Sequence, residues 1–183
     1  MPKTKVLSKN NMQSKIDKNR NTDKNSNGMN RAYNYAVYLL GIRLRTEGEL
    51  RERMKQKGYP LAIVDEVINY LKDQRFLDDQ RFAEIFLDNL KKYKNFGFYG
   101  IKKKMMEKRL PSSIIENVLS QGLPIEEETK IARRFLRKQK FTPSNAAERQ
   151  SAKDESFDRA DKNKIARSLA NRGFRTEIIK RFF

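Results

Sequence analysis

Polar and apolar positions alternate with helical period along most of the chain. From Arg31, the residues Ala32, Tyr35, Ala36, Leu39 and Leu40 fall at i, i+3, i+4, i+7 and i+8, one face of a helix. Thr46 with Glu49 three residues on forms a capping box. Leu50 and Met54 then share a face, and Gly58 suits the left-handed residue that ends a helix. Pro60 fits the first turn of the next helix, whose inward stripe is Ile63, Val64, Val67, Ile68 and Leu71.

The order then recurs. Asp78 and Asp79 open a helix with Phe82, Ile85, Phe86 and Leu90 inside. Ile101 and Met105 begin the next, and Pro111 opens a third with Ile114, Ile115, Val118 and Leu119. A third pass starts at "PIEEETKIARRFLRKQKF", with Pro and three Glu at its N-terminus. A polar stretch without clear period, about 142–161, reads as a loop or mobile insertion, and helix resumes at Lys162.

The register is testable within the sequence. With offsets of 51 and then 64 residues and no gaps, Leu50, Ile101 and Ile165 form one column. So do Met54, Met105 and Leu169; Tyr59, Leu110 and Phe174; Ile63, Ile114 and Ile178; Val64, Ile115 and Ile179; and Val67, Val118 and Phe182. The fold class expected is all-α: three tandem three-helix repeats forming an elongated, curved, solenoid-like body. The expected boundaries are 31–77, 78–122 and 123–183. Residues 1–30 are rich in Asn, Lys and Ser and carry seven positive and two negative charges. They read as a disordered basic tail, either a DNA-grazing arm or a solubilising leader.

Charge and composition narrow the function. The net charge is +18, a field that attracts polyanions such as nucleic acid or a partner bound to it. There is no Cys and no His, so thiol chemistry, disulfides, the usual general base and the commonest metal ligand are all missing. No phosphate-binding glycine loop is present. A binding protein without enzymatic activity and without a cofactor is therefore expected. No apolar run reaches the ~20 residues of a membrane helix, and a soluble, cytoplasmic monomer is expected.

Several basic groups are candidates for contact with a partner. Lys57, Lys108 and Arg172 share one column, where a cation either meets phosphate or complements the end of a helix dipole. Lys102, Lys103, Lys104, Lys108 and Arg109 crowd one short helix, with Lys103 pointing outward. Lys91, Lys92 and Lys94 are interleaved with Tyr93, Phe96, Phe98 and Tyr99, rings that either stack on bases or close a core. Arg43, Arg45, Arg51 and Arg53 surround the first capping box, and Arg133, Arg134, Arg137 and Lys138 lie on the third repeat.

Two segments resemble the RecX family of bacterial regulatory proteins. "LLGIRLRTEGEL" is similar to its Arg-x-Arg-Ser/Thr-x-x-Glu-Leu segment through Arg43, Arg45, Thr46, Glu49 and Leu50. "FLDDQRFA" is similar to its Leu-Asp-Asp-x-Arg-Phe-Ala segment through Leu77, Asp78, Asp79, Arg81, Phe82 and Ala83. Gly97, Ile101 and the helix ending at Arg109 fit the next family segment. The likeness covers Ala32 to Leu119 well and the third repeat weakly. It implies tandem three-helix repeats and binding in the groove of the RecA–DNA filament. It further implies suppression of RecA's ATPase and strand exchange, with no enzymatic activity of its own. The partners implied are the RecA nucleoprotein filament and single- or double-stranded DNA. Arg109 stands where the family often has Gly, so that helix stop must be built differently.

Overall fold

The computed structural model describes residues 23–139 and 155–183, and every regular element among them is helical. The helices are α1 (Asp23–Ile42), α2 (Glu47–Gln56), α3 (Leu61–Asp73), α4 (Asp79–Asn89), α5 (Phe98–Glu107), α6 (Ser112–Gly122), α7 (Ile125–Lys138), α8 (Glu155–Asn171) and α9 (Thr176–Lys180). A π-helical turn, Leu90–Lys94, follows α4 directly.

Two expectations about segment ends need correction. Helix α1 starts at Asp23, inside the stretch expected to be disordered, because Met29 is buried and extends the Ala32–Ala36 face by one turn. The rest of the expected tail, 1–22, lies outside the described residues. Likewise α8 begins at Glu155, not at Lys162, so the expected loop is helical over its last residues, while 142–154 lie outside the described residues. The prolines sit one position earlier than expected: Pro60, Pro111 and Pro124 are N-cap residues rather than first-turn residues. Their lack of an N–H costs nothing there either.

The chain forms two compact units. In the first, α1 and α3 pack along each other. Ala32, Ala36, Leu39, Leu50, Met54, Val64, Val67, Ile68 and Leu71 are buried, and Tyr33 meets Tyr70 edge-on at 5.7 Å. The second unit holds Thr46–Glu49 and everything from Leu77 onward. Its core joins Ala83, Leu87, Ile101, Met105, Ile115, Val118, Leu119, Ile131, Ala132, Phe135, Leu169, Phe174 and Ile178.

The repeat is visible in backbone geometry. Gly58, Arg109 and Gly173 occupy one column and all have positive φ (90°, 57° and 75°). Each ends its helix with the same pair of bonds. Gly58 N donates to Lys55 O and Tyr59 N to Met54 O; Arg109 N to Met106 O and Leu110 N to Met105 O; Gly173 N to Ala170 O and Phe174 N to Leu169 O. This 5→2 and 6→1 pairing is the Schellman stop. The central repeat therefore keeps the glycine geometry with an arginine, at a backbone cost of ~1–2 kcal/mol. The column Met54, Met105 and Leu169 is fully sealed in all three repeats. In the short α9, Ile178 is buried and Ile179 half-buried, whereas in α3 and α6 the partners of the second column, Val64 and Ile115, take the buried place.

First helices align as well, at offsets of 51 and 49: Ala32, Ala83 and Ala132 are each fully buried. The third repeat thus carries 15 more residues between its first and second helices than between the corresponding helices of the repeat before it (64 less 49).

Within the second unit, the first turn of one repeat's second helix sits on the helix stop of the next repeat. This joint occurs twice. At the first, Thr46 Oγ1 donates to Lys108 O (2.5 Å) and accepts from Glu49 N (3.0 Å). Glu47 N donates to Asp79 Oδ1 (2.8 Å), and Lys108 Nζ pairs with Glu49 Oε1 (3.1 Å). At the second, Gly97 N donates to Arg172 O (3.0 Å) and Tyr99 N to Gly173 O (2.8 Å). Phe98 N donates to Glu128 Oε1 (3.0 Å). Asp79 and Glu128 are equivalent positions on their first helices, so one carboxylate per joint closes the first turn of the helix docked on it.

Candidate functional site

Lysines and arginines divide by what they hold. Several expected partner-binding cations are instead structural. Arg45 Nε donates to Leu39 O at 3.2 Å. Arg51 pairs with Asp65. Arg43 Nη1 donates to Leu44 O at 2.9 Å. Lys108, besides its ion pair, lies 6.0 Å from the Phe86 ring centre, and Lys57 lies 5.9 Å from that of Tyr35. Tyr35 and Phe86 are equivalent positions, so this column braces each second helix against the first helix of its own repeat. Arg172 does the same against Phe135, at 5.1 Å, and also covers Phe96 at 5.2 Å.

The lysine cluster of α5 is weaker than its sequence density suggests. Lys104 pairs with Glu107 at 2.7 Å and Lys102 with Glu116 at 3.6 Å. The hydrogen bond from Lys104, with the nearby charges of Lys103 and Lys108, lowers the Glu107 carboxyl below its usual pKa. Lys103 is exposed as expected, and shares the outer side of α5 with the exposed Tyr99 and Met106 at helical spacing. Arg109 and Arg53 are also exposed.

The structure concentrates cations at the π-helical turn. Its carbonyls are gripped by guanidinium groups from two other elements: Arg134 Nη2 on Lys91 O, and Arg172 Nη1 on Lys94 O at 3.2 Å. Arg134 Nε also donates to Asn95 Oδ1 at 2.8 Å. Asn95 is buried and left-handed (φ 52°), which ends the turn. Lys91 is tied down by Asp88 (2.9 Å) and Gly122 O (3.1 Å). Lys92, over the Tyr93 ring at 5.3 Å, and Lys94 remain exposed. On α7 the exposed face carries Lys130, Arg133 and Arg137, at spacings of three and four, with Lys138 beside them. The turn therefore gathers charge from residues 40 to 80 positions apart, as orders of sequence separation.

Ring expectations divide in the same way. Phe96 and Phe98 pack against the core, whereas Tyr93 and Tyr99 are 61% and 58% exposed and available for stacking. Sequence reasoning missed the buried pair of Glu128 with Arg175. Glu128 is fully buried, accepts from Arg175 N (3.0 Å) and meets the Arg175 guanidinium, which also donates to Leu123 O (3.1 Å). The available signal was Arg175 standing in the column of Pro60 and Pro111, which trades a proline for an N–H donor. Among the described residues no group of acidic side chains is arranged to hold a metal, and no helix is long and apolar enough to cross a membrane.

These features define an all-α helical-repeat protein with a basic surface. The family model for the first three-helix domain of RecX matches residues 32–71. A regulatory protein RecX of Geobacillus kaustophilus is 30% identical over 149 residues, which cover 81% of this chain and 51% of that protein. The regulatory protein RecX of Streptococcus sanguinis is 30% identical over 142 residues, covering 77% of this chain and 50% of that one. The chain thus spans about half the length of the curated relatives it matches. The crystal structure of RecX from Lactobacillus salivarius shares the fold, with a TM-score of 0.71 at 24% identity over 85% of this chain and 94% of that one. The chain belongs to the RecX family.

Proposed function

We propose that this protein is a non-enzymatic modulator of the RecA recombinase. It binds the RecA–DNA filament and restrains RecA's ATPase and strand exchange. Family membership supports the regulatory reading, and the observation that carries the filament contact is the cationic turn. Lys92 and Lys94 are presented on a segment fixed by Arg134 and Arg172, so their charge is held in place before the partner arrives. A filament repeats, and several weak contacts from one chain sum against it.

The test is single-strand-dependent ATP hydrolysis by the cognate RecA, with this protein added below one copy per RecA. Inhibition at amounts too small to coat the DNA is expected. Reversing Lys92, Lys94 and Arg137 to Glu is expected to raise the amount needed ~tenfold or more. Reversal at Lys102, Lys103 and Lys104 is expected to do less, because two of those three already have acidic partners. Tight, steeply salt-dependent binding to naked DNA with no effect on RecA would replace this reading by that of a general nucleic-acid-binding repeat protein.

A further inference from the structure

The two joints have a third counterpart with nothing on it. In the second unit, the stops at Lys108–Arg109 and Arg172–Gly173 each receive the first turn of a helix. Their equivalent in the first unit is Lys57–Gly58–Tyr59, with the same backbone bonds and the same positive φ. There Lys57 and Gly58 are exposed, and a Cβ built on Gly58 meets no atom within 4 Å. A Cβ at Gly173 would instead overlap the Gly100 amide, and Arg109 lies against Gly48, whose own added Cβ would come 2.5 Å from the Arg109 Cβ. The carboxylate position of the joint, Asp79 or Glu128, is Asn30 here, half-exposed and still able to accept an N–H bond.

We propose that the Asn30 and Lys57–Tyr59 face is a docking site for the first turn of an α-helix from another protein. The occupant's chemistry follows from the two filled joints. Its N-cap is a hydroxyl residue or Gly, placed to donate to the Lys57 carbonyl as Thr46 and Gly97 do to theirs. Its first free amide reaches Asn30 Oδ1, as Glu47 N reaches Asp79. Its third helical residue is acidic and pairs with Lys57, as Glu49 pairs with Lys108. Gly58 resembles Gly173 rather than Arg109, so the occupant's second helical residue is free to carry a side chain, as Tyr99 does opposite Gly173. A second copy of the described chain offers no spare donor of this kind. Its Thr46 and Gly97 turns are already docked, and the equivalent third position, Asp161, lies inside α8 rather than at its start. This site is separate from the cationic turn and does not depend on the RecA reading.

The probe is a synthetic peptide with the sequence of residues 46–56, held helical by a lactam on its outer face and titrated into the full chain. Backbone amide shifts are the readout. Saturable shifts centred on Lys57, Gly58 and Tyr59 are expected. Lys57→Glu is expected to weaken binding ~2–5-fold, and a peptide with Lys in place of its third helical Glu to recover that loss. A peptide with Ala in place of its Thr is expected to bind ~5-fold less tightly. No shift at this face, or the same shifts with a scrambled peptide, would overturn the proposal. So would a Gly58 amide that moves with the chain's own concentration, which assigns the face to a second copy, or one that moves on deletion of residues 1–22, which assigns it to that segment.

Discussion

The two joints of the second unit place equivalent turns on equivalent helix ends, yet use different chemistry. The first is built from side chains: a Thr46 hydroxyl, an Asp79 carboxylate and a Lys108–Glu49 pair. The second is built from backbone: Gly97 and Tyr99 amides on Arg172 and Gly173 carbonyls, with buried Glu128 and Arg175 closing it. Bulk is exchanged across the contact too. Gly48 opposes Arg109, whereas Tyr99 opposes Gly173. A repeat interface is therefore conserved in geometry while its residues trade roles in pairs, and each side tolerates change only when its opposite compensates.

The largest effect is expected at the second joint's carboxylate. Glu128→Ala strands the Arg175 guanidinium and two amides in a sealed site, so a loss of ~3–5 kcal/mol is expected in urea unfolding followed by helical circular dichroism. A loss below that range would mean water reaches Arg175 and the joint is looser than its hydrogen bonds imply. Next comes Gly173→Ala, which adds a Cβ where the Gly100 backbone lies and keeps a left-handed residue, for a loss of ~2–3 kcal/mol. The same substitution at Gly58, whose Cβ would meet nothing, is expected to cost only the conformational part, ~1 kcal/mol. Equal costs at the two glycines would erase the distinction between a filled and an open helix stop.

Thr46→Ala follows, at ~1–2 kcal/mol, because the buried hydroxyl both caps Glu49 N and serves Lys108 O. Slowed amide exchange at Leu110 should be lost with it, since that amide belongs to the stop on which Thr46 rests. The smallest effect has the opposite sign. Arg109→Gly relieves a left-handed arginine but frees more unfolded conformations, for a net gain of ~0.5–1 kcal/mol. Unchanged or lower stability would show that the Arg109 side chain contributes as much as its backbone costs.

Periodicity carried much of the fold. The columns through Met54, Met105 and Leu169, and the helix ends at Gly58, Arg109 and Gly173, follow from apolar spacing and offsets of 51 and 64. Asp78 was legible as a cap, and its carboxylate does accept from Arg81 N at 2.9 Å. Asp79 was not, because its bond goes to Glu47, 32 positions earlier. The helix over Asp23–Asn30 was hidden by a polar composition in which one buried residue, Met29, made the difference.

Among the basic residues, the sequence by itself determined the total charge and which segments carry it. A formal charge depends only on residue type, and local helical spacing decides which side chains share a face. Only the tertiary structure decided which cations are spent internally. Arg134, Arg172 and Lys91 look no different along the chain from Arg133, Arg137 and Lys92, yet the first three bind carbonyls and the others face solvent. The reason is that a long cationic side chain finds its acceptor across space, and the acceptors here, the ends of a π-helical turn and of α6, exist only once distant helices have packed.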